Sequence, residues 1–180
     1  MCQSPSAPKN RLIGELGYDR NETAVLTVIR YFFQSFQHPA SQSWVNAFGA
    51  AEARFAQPLA GEVTARALHM VMCMRTSRKS SFCFTNPNCT RCAARVTSNE
   101  AQFMSVLKLA RHHRPEAMQA HASLLCEGND VTAYLNAVWD VVAALDGAAT
   151  DPALGRTAQM ALDPNRSIPP HAGPLGPHTF

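Results

Sequence analysis

The chain has 180 residues, 46% of them apolar and 16% charged, with 16 Lys+Arg against 13 Asp+Glu and a formal net charge of +3. That length suits one globular domain, and no run approaches the ~18 consecutive apolar residues of a membrane-spanning helix. Six cysteines, four of them between Cys73 and Cys92, are too few and too clustered for a secreted disulfide scaffold, so a cytoplasmic protein with thiols serving a local purpose is expected.

Residues 1–20, with Pro5, Pro8, Gly14 and Gly17, show no sustained period and read as a flexible lead-in. From Asn21, taken as a cap, Val25, Val28, Ile29, Phe32, Phe33 and Phe36 recur at spacings of three and four and predict a first helix, stopped at His38-Pro39. A second is expected from Ser41 or Ser43, with Trp44, Phe48, Ala51 and Phe55 on one face, ending before Pro58. A third places Leu59, Val63, Met70 and Met74 on a stripe, with Cys73 about 40° away and facing inward.

Between residues 75 and 96 the period fails, leaving a loop rich in Ser, Thr and Asn that holds three cysteines. Loops of this length in compact domains usually need a staple. Helix resumes at Thr97, which with Glu100 forms a capping box ahead of Phe103, Val106, Leu107 and Ala110. Pro115 opens a fifth helix that stops at Gly128. Asp130 caps a sixth through Leu145, ending before Gly147. Six of the chain's twelve prolines then fall in residues 148–180, read as a flexible tail. With no strand alternation and no repeat, the fold class expected is all-α, a single six-helix bundle-like domain over residues 21–147.

Cys83, Cys89 and Cys92 follow a C-x5-C-x2-C order, and the close pair sits in an Asn86-Pro87-Asn88 turn that can converge two sulfurs on one ion. Cys126, at the end of a helix where the dipole disfavours a free thiolate and welcomes a cation, is the expected fourth ligand. Cys73, His112 and His113 are the alternatives. Zinc is the expected metal because the turn is knuckle-like, with an iron–sulfur cluster as alternative. The loop resembles, loosely and at a different spacing, the basic cysteine loop that carries a cluster in some helical DNA-repair enzymes. That chain's helix-hairpin-helix and catalytic pair have no counterpart here, so no site is carried over. Two readings need no metal: buried cysteines packed around Phe82 and Phe84, or a redox dithiol at Cys89 and Cys92 beside Arg91.

Charge is distributed unevenly. Residues 74–114 carry eight Lys/Arg and one acid, Glu100, whereas residues 115–180 carry two bases and seven acids. Those halves can attract one another within the fold. The functional reading is that Arg75, Arg78 and Lys79 enter the loop, Arg91 and Arg95 leave it, and together they present a basic face to a protein or nucleic-acid partner with an acidic surface. No catalytic, phosphate-cradling or dinucleotide motif is present. The expected function is therefore a non-enzymatic regulatory or adaptor protein, in which a cysteine-bound metal orders a basic loop for an anionic partner. A thiol or iron–sulfur redox sensor, a nucleic-acid-binding module and a metal-free helical protein are the alternatives.

Overall fold

The computed structural model describes residues 10–150. The expected lead-in up to residue 9 and the Pro-rich tail from residue 151 lie outside the described residues, as do Cys2, His171 and His178. The fold is all-α: among the described residues there are seven α-helices and one two-stranded ribbon. In chain order they are β1 (Arg11–Leu12), α1 (Arg20–Gln37), α2 (Trp44–Glu52), α3 (Leu59–Ser77), α4 (Thr90–Ala93), β2 (Arg95–Val96), α5 (Ser98–Arg111), α6 (Pro115–Leu125) and α7 (Thr132–Thr150). Among the described residues, no helix is long and apolar enough to cross a membrane.

α1 starts two residues earlier than Asn21 suggests. Asp19 Oδ1 accepts from the Glu22 amide at 2.7 Å and Glu22 Oε2 accepts from the Asp19 amide at 3.0 Å, a reciprocal capping box that Asn21 cannot form. Beyond it Val25, Leu26, Val28, Ile29, Phe32 and Phe33 are all buried. α1 packs on α2, α3 and α5, while α3 lies along α7 and α5 forms a hairpin with α6. Arg111 at the end of α5 clamps this arrangement to the start of α1, bonding Asp19 Oδ2 at 2.6 Å and Glu22 Oε1 at 2.9 Å.

Three expectations need correction. The lead-in is tethered from residue 11, because Arg11 pairs with Val96 and Leu12 with Arg95 in an antiparallel ribbon. The face expected around α2 holds only in part: Ala51 and Phe55 are buried, but Trp44 and Phe48 are 49% and 40% exposed and Ala47 is buried instead. Small side chains let α2 approach α1 and α3 closely, and that outweighs the spacing of its aromatics. The seventh helix is α4, a single turn inside the cysteine loop, and α7 continues past Gly147 to Thr150. The caps at Thr97 and the start at Pro115 are where the sequence puts them, and Gly128 ends the sixth helix with φ +77°, a left-handed conformation that glycine adopts without strain.

Candidate anionic-partner site

Residues 78–97 hold too few apolar side chains to be ordered by burial alone, so their fixed path must come from elsewhere. Two devices supply it. Arg30 of α1, only 2% exposed, donates from Nε to Glu100 Oε1 at 2.7 Å, from Nη1 to the Ala93 carbonyl at 2.8 Å and from Nη2 to the Arg95 carbonyl at 2.5 Å. Fully buried Glu100 also accepts from the Thr85 amide at 3.0 Å and the Thr97 amide at 2.8 Å, and Thr97 Oγ1 donates to the Cys83 carbonyl at 2.7 Å. A buried ion pair is tolerated when its remaining donors and acceptors are satisfied, and here the loop's own backbone satisfies them. The second device is aromatic. Phe82 stacks on Phe33 with centroids 4.2 Å apart and an 11° interplanar angle, Phe84 lies 5.6 Å from the same ring, and Phe103 meets Phe82 edge-on at 6.1 Å.

Among the described residues no group of three or more His, Cys, Asp or Glu side chains is placed to hold a metal ion. Cys83 is exposed, its amide bound to Asn99 Oδ1 at 2.9 Å. Cys89 caps α4 and Cys92 is the third residue of that turn. Cys126 is fully buried behind the end of α6, where burial pushes its thiol up in pKa, a bond with Ser77 and the Arg78 charge pull it down, and burial wins. Cys73 faces α7 instead of the loop: its Sγ is 3.4 Å from His69 Nε2, and burial and then Asp140 raise its pKa. His112 and His113 sit at the far end of α5, a rise of about 20 Å along a helix of 14 residues from the loop-proximal Ser98.

The basic residues divide by what they already bond. Arg78 is spent within the fold: Nη1 donates to the Leu125 carbonyl, Nη2 to Ser80 Oγ at 2.7 Å, and Glu127 lies 3.6 Å away. Arg95 donates to the Asn10 carbonyl at 3.2 Å. Glu127 Oε2 also accepts from the Lys79 and Ser80 amides, each at 3.2 Å, so the acidic C-terminal half does neutralise part of the basic loop. The Ser80 hydroxyl first, then these amides, hold the Glu127 carboxyl below its ordinary pKa. Arg75 is exposed, its guanidinium 3.8 Å from the Phe36 ring centroid and its Nη1 3.9 Å from Met72 Sδ, with no acid among its partners in the described residues. Among the described residues, the charged ends of Lys79 and Arg91 have no hydrogen-bond or ion-pair partner.

Arg75, Arg78 and Lys79 border a cleft of about 490 Å³, walled by Phe33, Phe36, Phe82, Phe84 and Met74, with Gln37, Ser80 and Ser81 also lining it and no acid in the lining among the described residues. A second concavity, about 590 Å³ beside α2, contrasts with it: Tyr31, Val45 and Phe48 line it with the carboxylate of Glu52 and, among the described residues, no Lys or Arg. The first can attract a negative group and shelter an apolar one. Comparison with protein-family models, with curated proteins and with solved structures finds no match to this chain. The residues that the sequence reading missed are Arg30, Glu100 as an ion-pair partner, and Phe36. A signal for Arg30 exists, since Leu26, Arg30 and Phe33 are spaced four and three and place a cation on the apolar stripe.

Proposed function

We propose that this protein is a binding module for an acidic segment of a partner protein, read at the cleft between α1, the end of α3 and residues 78–84. The observation that carries the reading is the placement of two cations without a carboxylate partner among the described residues, Arg75 and Lys79, on the rim of an aromatic cleft whose described lining holds no acid. The ordering that the sequence assigned to zinc or a cluster is performed, in this reading, by Arg30, Glu100 and the stacked phenylalanines. Nucleic acid fits less well: proteins that grip a duplex neutralise about six to ten phosphates, whereas the loop retains Arg75, Lys79 and Arg91 once Arg78 and Arg95 are committed.

Fluorescence anisotropy of a labelled glutamate-rich peptide tests the proposal. Binding at low salt is expected to weaken as salt screens the charges, and to fall roughly twofold to thirtyfold in Arg75→Gln/Lys79→Gln, at about 0.2–1 kcal/mol per exposed pair. Arg114→Gln, at the remote α5–α6 turn, should bind as the unmodified chain does. No binding at low salt, or equal binding by the double variant, contradicts the proposal.

A thiol redox sensor has one observation in its favour: Cys89 caps α4 and Cys92 follows three residues later within its single turn. Oxidised glutathione would take the two thiols to one disulfide and leave as two glutathione thiols. Loss of two protein thiols that disappears in Cys92→Ser is the expected signature, and no loss refutes it.

A further inference from the structure

The cleft distinguishes more than charge, and the inference drawn from it rests on the acidic-segment reading above. Its floor is apolar and sequestered: Met74 is fully buried, Phe33 is nearly so, and Phe36, Phe82 and Phe84 are half-buried. Its rim is cationic and exposed, formed by Arg75 and Lys79. At about 490 Å³ it falls within the roughly 300–1,000 Å³ of cavities that enclose ligand groups. A segment made of carboxylates alone would satisfy the rim and leave the floor facing water.

We propose that the partner segment carries one bulky apolar residue flanked by carboxylates: its side chain enters beside Phe36, Phe82 and Met74, and its carboxylates engage Arg75 and Lys79. The Arg75 guanidinium and the backbone that carries Lys79 are both held before the partner arrives. The Phe36 ring lies 3.8 Å from the Arg75 guanidinium carbon, leaving the planar fork available for a two-point bond to a carboxylate. The backbone that carries Lys79 is fixed by the bonds from its own amide and that of Ser80 to Glu127. Holding the rim in advance lowers the ordering cost of association. Among the described residues no acid lines the cleft, and the neighbouring Glu127 carboxylate is engaged with Arg78 and with the Lys79 and Ser80 amides, not with the Lys79 or Arg75 side chains.

The test compares two blocked peptides of equal charge on the unmodified full chain, Gly-Glu-Glu-Phe-Glu-Glu-Gly and its Ala counterpart, by isothermal titration at two salt concentrations. Burial of the phenyl ring predicts that the Phe peptide binds tenfold or more tightly, and that this ratio survives high salt while both affinities fall. Lys79→Gln should weaken both peptides by a similar factor, and Phe36→Ala should bring the ratio toward one. Equal binding of the two peptides, or an unchanged ratio in Phe36→Ala, overturns this inference and leaves the acidic-segment reading standing. Binding of neither peptide at low salt overturns that reading itself.

Discussion

Removing the Glu100 carboxylate should release the loop. Glu100→Ala leaves the Arg30 guanidinium 2% exposed with two carbonyl acceptors and no counter-charge, and strips the Thr85 and Thr97 amides of the oxygens they bond at 3.0 and 2.8 Å. Breaking one side of a buried pair costs about 3–5 kcal/mol, a large share of the roughly 5–15 kcal/mol that holds a domain folded. The midpoint of thermal unfolding should fall by on the order of 10 °C. Because the same oxygens position residues 85–97, tryptic cleavage after Arg91 and Arg95 should accelerate before the rest of the chain is cut. Replacing both partners, Arg30→Met/Glu100→Leu, removes the stranded charge and should destabilise less than Glu100→Ala alone. Urea unfolding and timed proteolysis measure both effects. A loss below about 1 kcal/mol with an unchanged tryptic pattern would refute the assignment of this pair as the loop's anchor.

Phe33→Ala should cost about 3–5 kcal/mol in urea unfolding, since it removes a buried ring against which Phe82 and Phe84 are placed. On α2 the orientation predicts opposite sensitivities: Phe48→Ser, at a 40% exposed ring, should change stability by less than about 1 kcal/mol, whereas Ala47→Leu should cost about 1–3 kcal/mol by forcing the helix off α1 and α3. Acid should weaken the fold through Asp19 and Glu127. Burial raises the Asp19 carboxyl, but the Glu22 amide and Arg111 together outweigh it, so both groups titrate below their ordinary values of 3.8 and 4.5. The unfolded chain therefore binds more protons, and the stability these groups supply is complete above those ordinary values and is lost as pH falls through the lowered folded ones. Urea midpoints should drop across that window and drop less in Asp19→Asn; midpoints that rise on acidification would contradict the assignment.

Helix positions were legible because their signals are local. Thr97 with Glu100, Pro115 and Gly128 mark ends through short-range bonds and backbone preferences, and each marks an end in the structure. The rotation of α2 was not legible, because spacing identifies its aromatic residues but not whether small or large side chains suit the gap against α1 and α3. The staple of the loop was hidden for a related reason: the sequence proposes sulfur because Cys83, Cys89 and Cys92 are close in sequence, whereas Arg30 and Glu100 are 70 residues apart and meet only on folding. Of the five basic residues nominated, charge counting could not separate Arg78 and Arg95, whose guanidinium groups bond carbonyls, from Arg75 and Lys79, which border the cleft with no carbonyl or carboxylate partner among the described residues. Phe36 becomes part of the site only once α3 brings Arg75 over its ring.

The most direct test of the proposed function is where an acidic peptide perturbs the molecule. In a titration of ¹⁵N-labelled protein with the glutamate-rich peptide at low salt, amide shifts are expected to concentrate in residues 33–37 and 74–84, which surround the basic cleft. Shifts confined to α2, whose concavity carries the Glu52 carboxylate, or spread evenly over the surface would contradict the account.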